Sequence, residues 1–111
     1  MNSDVNVQTN DIWGSSSSDV FVLLNHRILH YDGKTWDMME YISNENLNGI
    51  WGSSPKDVFA VGDNGVILHF DGNDWNVINS ITNDQLIGIW GSSSTDVFAA
   101  GRFGTIQHYG K

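Results

Sequence analysis

The chain has 111 residues, 40% of them hydrophobic and five of them tryptophan, a composition suited to one folded domain rather than a disordered segment. Its 13 acidic and 5 basic residues give a net charge of −8, and Arg27, Lys34, Lys56, Arg102 and Lys111 are scattered, which argues against nucleic acid and anionic membrane surfaces as partners. The lack of cysteine excludes disulfides and thiolate metal sites; with no visible signal peptide and no apolar run near the ~20 residues that span a bilayer, location is open, cytoplasmic by default.

Residues 1–10 read as a strand, because Ser3-Asp4-Val5-Asn6-Val7 aligns with Asn73-Asp74-Trp75-Asn76-Val77 of a pattern that fills the rest of the chain. That pattern is written three times, over 11–42, 47–80 and 86–111. Trp13, Trp51 and Trp90 recur at intervals of 38 and 39 residues, and Asp19, Asp57 and Asp96 follow them by six. Phe21, Phe59 and Phe98 follow by eight, and His30, His69 and His108 recur at a spacing of 39. A period near 40 residues that holds several short strands is the signature of a propeller blade.

The middle copy shows the plan. A strand over Leu47–Trp51 is closed by a Gly-Ser-Ser turn, and Asp57–Val61 follows, rich in β-formers. Gly62-Asp63-Asn64-Gly65 signals a hairpin, since Asn-Gly accepts the positive φ of tight β-turns. Val66–Phe70 and Trp75–Ile78 complete four strands, with Asp71-Gly72 turning between them. No window carries a helical period, so the fold class is all-β. Copy one has one residue fewer in its second turn, and copy three stops before a fourth strand.

Three blades do not close a ring, and closed rings hold four to eight. The expectation is therefore a six-bladed propeller made by a homodimer, in which the leader strand of each copy completes the third blade of the other and removes a free edge. The interface should be core-like and exceed ~2,000 Å². A piece cut from a longer propeller is the alternative.

The segment Trp51-Gly-Ser-Ser-Pro-Lys-Asp-Val-Phe-Ala-Val-Gly-Asp-Asn-Gly-Val-Ile-Leu-His-Phe-Asp-Gly-Asn-Asp-Trp75 resembles the tryptophan–glycine–serine repeats of bacterial β-propeller proteins, a group similar to kelch, Asp-box and photosystem assembly-factor propellers. The resemblance covers about residues 10–110 and implies the propeller fold. Asp32-Gly33-Lys34-Thr35-Trp36 is similar to the Asp-box hairpin in position only, because Asp and Gly are adjacent. Members include enzymes, lectins and scaffolds, so the resemblance does not select a function.

Residue by residue, structural roles dominate. His30, His69 and His108 hold one repeat position and would lie around a ring, where they hydrogen-bond a nearby turn rather than converge on a metal. Asp19, Asp57 and Asp96 are expected to pin turns by accepting backbone N–H bonds, as are Asp32 and Asp71. Trp13, Trp51 and Trp90 are read as core, and Trp36 and Trp75 as packed between sheets. The Gly62–Gly65 and Gly101–Gly104 turns lack the strand-to-helix context of a phosphate loop.

Function is sought where the copies differ. The turn between second and third strands carries Asn25, His26 and Arg27, then Asp63 and Asn64, then Arg102 and Phe103. These seven are the candidate ligand-binding residues, expected to share one face with the connections between blades. The reading is a non-enzymatic binding or scaffold module for a glycan or protein, with no catalytic residue, metal or cofactor. A glycosidase- or lyase-like propeller, which needs a convergent carboxylate pair, and a purely architectural assembly are the alternatives.

Overall fold

A computed structural model describes residues 9–39, 45–78 and 83–110. Among them the chain is all-β, in three antiparallel sheets. The first holds β1 (Asp11–Ser16), β2 (Asp19–Leu24), β3 (Arg27–Tyr31) and β4 (Trp36–Met39) in sequence order. The second holds β5 (Leu47–Ser54), β6 (Asp57–Gly62), β7 (Ile67–Phe70) and β8 (Trp75–Ile78) likewise. The third has β9 (Leu86–Ser93), β10 (Asp96–Gly101) and β11 (Ile106–Gly110). Each sheet is thus a meander of hairpins, the arrangement that short turns impose on successive strands.

Two turns differ from the sequence reading. The Gly-Ser-Ser segment does not end the first strand of each copy. It continues β5 to Ser54, which pairs with Asp57 across a register shift after Gly52, and Pro55-Lys56 makes the turn. A bulge lets the strand twist while it keeps its ladder. The Asp63–Gly65 and Arg102–Gly104 turns are single 3-10 turns, closed by Val66 N–H donating to Asp63 O at 3.2 Å and Thr105 N–H donating to Arg102 O at 3.3 Å.

The sheets stand side by side, with β1, β5 and β9 as adjoining inner strands. Between the first two sheets lies the main core. Phe21, Leu23, Ile28, Ile50, Val58, Leu68 and Trp75 are buried there, and each large side chain so buried contributes about 1.5–3 kcal/mol. Phe21 meets Phe70 and Trp75 edge-on at centroid distances of 5.7 and 6.2 Å. The Trp75 indole N–H donates to Met39 Sδ at 3.3 Å.

Nearer the inner strands, a glycine receives each ring from the preceding copy. A Cβ on Gly52 would stand 2.6 Å from Trp13, and one on Gly91 would stand 2.6 Å from Trp51. Only a residue without a side chain permits that approach, which explains the repeated Trp-Gly pair. Asn10 and Asn48 add a strap, donating through Nδ2 to Leu47 O and Leu86 O, the first residues of the next inner strands, at 2.7 and 2.8 Å.

The repeat positions that are buried between sheets are exposed where the array stops. Phe21 and Phe59 are 1% exposed and Phe98 is 38%; Ile28 and Ile67 are 0% and 7%, and Ile106 is 69%. Trp90, the third of the inner tryptophans, is 62% exposed. On the first sheet's outer face, the buried Trp36 Nε1 has no hydrogen-bond partner among the described residues.

The expected leader strand lies outside the described residues, but chain length bears on its exchange. β4 and β8 reach the next inner strand through residues 40–46 and 79–85. Asn10 is already fixed at the inner strand, its N–H donating to Leu23 O at 2.8 Å. From Val7 to Asn10 the chain covers about 11 Å at most, in steps of 3.8 Å. Inner and outer strands of one sheet stand about 14 Å apart, three ladder spacings. A strand exchanged in the register of β8 would need a longer connection than those residues give, and the expected exchange itself falls on residues 1–8, outside the described ones.

Candidate functional site: the turn end of the three sheets

Antiparallel pairing decides which loops share an end. Asp11 pairs with Leu23, Leu47 with Gly62 and Leu86 with Gly101. The turns after β2, β6 and β10 therefore lie beside the starts of β1, β5 and β9, and at β5 and β9 the chain arrives there from the preceding sheet. All seven residues singled out from the sequence fall at this end.

The structure divides them. Asn25, at φ 56°, accepts Leu47 N–H through its carbonyl at 2.7 Å. Asp63 donates its N–H to Asn46 O at 2.9 Å, and its Oδ1 accepts Asn48 Nδ2 at 3.0 Å and Gln85 Nε2 at 2.7 Å. Those two donors, Asn48 first, hold the Asp63 carboxyl below its ordinary pKa of 3.8. Asn64 Nδ2 donates to Glu45 Oε2 at 2.6 Å. Asn25 and Asp63 fasten one sheet's turn to the approach to the next, at Leu47 and Gln85, while Asn64 holds the approach to its own sheet.

Asn25 and Asn64 are exposed despite these bonds, and His26, Arg27, Arg102 and Phe103 are exposed too. The Arg102 backbone N–H donates to Gln85 O at 3.0 Å. Phe103 is 91% exposed and sits at φ 61°, where copy two has Asn64 at φ 57°. Asparagine tolerates that left-handed conformation, and a bulky aromatic is an outlier there. The fastening residues Asn48 and Gln85 were missed in the sequence, although Asn10 and Asn48 occupy one repeat position, three before the tryptophan.

The opposite end carries the repeated Asp and His. His30, His69 and His108 donate Nε2–H to Oδ1 of Asp19, Asp57 and Asp96 at 2.6, 2.6 and 2.8 Å. The other carboxylate oxygen accepts the hydroxyl of Ser15, Ser53 or Ser92. The aspartates thus bind side chains, rather than the backbone N–H groups expected. The carboxylate lies between serine and histidine, whereas nucleophile activation needs the histidine in the middle. Each imidazole also rests on its copy's phenylalanine, at 4.5–4.6 Å between centroids. Ser92 foremost, then His108, holds the Asp96 carboxyl below 3.8. Asp32 and Asp71 do accept backbone N–H groups, from Lys34 and Thr35 and from Asn73 and Asp74, all at 2.9 Å. Among the described residues no three His, Asp or Glu side chains are grouped to hold a metal ion.

Between the second and third sheets is a cavity of about 140 Å³, lined by Phe59, Ile89, Val97, Ala99, His108 and Tyr109 among others. No protein-family model matches the chain, and no curated protein matches it.

Proposed function

We propose that the chain is half of a six-bladed β-propeller of the tryptophan–glycine–serine type, closed by a second copy, and that the ring is a non-enzymatic module binding glycans at its turn end. The exposed Phe98, Ile106 and Trp90 on one outer face, and on the other the Trp36 Nε1, without a hydrogen-bond partner among the described residues, support closure by a copy of the same chain. In such a ring Trp90 takes Gly14 of the second copy as its seat, as Trp13 takes Gly52 and Trp51 takes Gly91. Sheet faces do this work alone, without an exchanged leader.

The observation that carries the binding reading is Phe103. A flat, almost fully exposed ring is held in a backbone conformation that costs an aromatic residue about 1–2 kcal/mol, and strain of this kind concentrates at functional sites. A ring beside Arg102 suits a sugar, whose apolar face stacks and whose hydroxyls accept from a guanidinium. A glycan array followed by melting curves with the best sugars tests it. Saturating ligand at 100 times Kd should stabilise the fold by about 2.7 kcal/mol, and Phe103→Asn should abolish the gain while raising the unliganded melting temperature. No shift with any sugar, or an unchanged shift in Phe103→Asn, defeats the reading; a shift produced by a protein ligand alone moves it from glycan to protein.

A further inference from the structure

The sequence contains four pairs in which a carboxyl or carboxamide side chain precedes glycine: Asp32-Gly33, Asn48-Gly49, Asn64-Gly65 and Asp71-Gly72. Such a pair can cyclise, because glycine carries no side chain to shield its nitrogen from the neighbouring Cγ. The fold obstructs that route at three of them. Asp32 and Asp71 each accept two backbone N–H groups at 2.9 Å through Oδ1. Those donors, Thr35 before Lys34 and Asp74 before Asn73, hold both carboxyls below the ordinary pKa of 3.8. Cyclisation needs the neutral acid, so at neutral pH the charged forms resist it. Asn48 is partly buried in β5, and its Nδ2 donates to Asp63 Oδ1 and to Leu86 O at 3.0 and 2.8 Å. Its glycine is buried against the third sheet, where a Cβ would stand 3.3 Å from Gly88 Cα. Attack there requires two sheets to part.

Asn64-Gly65 lacks those restraints. Asn64 is exposed in a single three-residue turn, at φ 57° and ψ 24°, with Gly65 at φ 74°. Gly65 is buried, but freeing its nitrogen requires only that one turn to open, with loss of the 3.2 Å bond from Val66 N–H to Asp63 O. We propose that Asn64-Gly65 is a self-modifying site, which deamidates in the folded protein and unfastens the second sheet's turn. Gly65 N bonds to Asn64 Cγ as the Cγ–Nδ2 bond breaks, and ammonia leaves with the proton of Gly65. Water then opens the cyclic imide at either carbonyl, giving aspartate or an isoaspartyl linkage. In the unmodified chain Asn64 Nδ2 donates to Glu45 Oε2 at 2.6 Å. Aspartate sets a carboxylate against Glu45 and beside Asp63, so attraction becomes repulsion. The isoaspartyl product runs the backbone through the former side chain and loses the turn. Each event also makes the net charge of −8 more negative by one. The site rests on the second sheet alone, and on neither the ring nor the glycan reading.

The test incubates the full chain at pH 8, folded and in parallel in concentrated urea. Proteolytic peptides are then mapped by mass spectrometry for the exchange of NH2 for OH, and by retention time for isoaspartate. In the folded protein Asn64 should convert at least about tenfold faster than Asn48, with no isoaspartate at Asp32 or Asp71. In urea the two asparagines should convert at similar rates, since both precede glycine. Asn64→Asp, which supplies one product directly, should melt below the parent at pH 7, and adding Glu45→Gln to that variant should recover the loss. The proposal is overturned if Asn64 of the folded protein does not convert, if Asn48, Asp32 or Asp71 keeps pace with it, or if its lead over Asn48 survives in urea. It is also overturned if Asn64→Asp melts as the parent does, or if Glu45→Gln recovers nothing.

Discussion

Gly52 and Gly14 occupy one repeat position, yet they should respond differently to alanine. At Gly52 the new Cβ would lie 2.6–2.9 Å from three atoms of the Trp13 ring, inside the contact limit. Relief requires the ring to move out of a seat walled by both sheets. Overpacking of this kind costs about 1–3 kcal/mol, or roughly 5–20 °C in melting temperature at this chain length. At Gly14 the nearest atoms are Asp19 O at 3.0 Å and Val20 Cγ2 at 3.3 Å, both in its own hairpin, with no tryptophan above. Gly14→Ala, which needs its own hairpin to give by only a few tenths of an ångström, should therefore cost the separate chain less than Gly52→Ala does. In a ring of two copies, however, it would block the seat of Trp90 twice. Two such clashes, about 2–6 kcal/mol together, would raise the dimer dissociation constant roughly 30- to 10⁴-fold. Circular-dichroism melting reads the first variant, and sedimentation over a dilution series reads the second. A Gly52→Ala protein that melts within a degree of the parent, or a Gly14→Ala protein that associates as the parent does, refutes the reasoning.

Other expectations are of the same kind. His69→Ala removes a hydrogen bond to Asp57 and a ring contact with Phe59; melting should fall by the equivalent of about 1–3 kcal/mol, with glycan binding unaltered if the Ser–Asp–His sets are struts. Asp71→Ala should melt lower than the parent at pH 6, because two backbone N–H donors hold that carboxyl below 3.8 in the folded state. A depressed folded pKa gives stability that is present above the unfolded value and lost as pH falls through the folded one. The gap between the two melting temperatures should therefore close below pH 3.8, and a gap that persists at pH 2 contradicts the assignment. Phe103→Gly should raise the melting temperature by the equivalent of up to about 1 kcal/mol, since glycine accepts the left-handed turn without strain.

Much of this was legible in the chain. Spacing alone located the three copies, because a residue that must meet its counterpart in the next sheet recurs wherever a sheet does; Trp13, Trp51 and Trp90 with Phe21, Phe59 and Phe98 are the clearest. The strand limits were less legible. Gly-Ser-Ser reads as a turn by composition, yet its β-bulge keeps it in the ladder, and bulges leave little compositional trace. Asp19 shows why roles are harder than positions: a carboxylate after a serine turn has backbone and side-chain donors to choose from, and only the third strand brings His30 into reach. At the turn end the sequence marked seven variable residues without separating those that fasten the strands' approaches from those that do not. That division depends on Glu45, Leu47, Asn48 and Gln85, which are distant in sequence from the turns they hold and cannot be seen locally. The leader lies outside the described residues, and its alignment with β8 compares side chains without weighing the length of connection needed to reach an outer strand.

The central claim, a six-sheet ring closed by a second copy, is tested most directly by solution mass. Light scattering on a size-exclusion column should give about 25 kDa, twice the chain mass of 12.3 kDa, both for the full chain and after deletion of residues 2–8. A folded monomer at 12.3 kDa, with Phe98, Trp90 and Ile106 left in water, would contradict the ring.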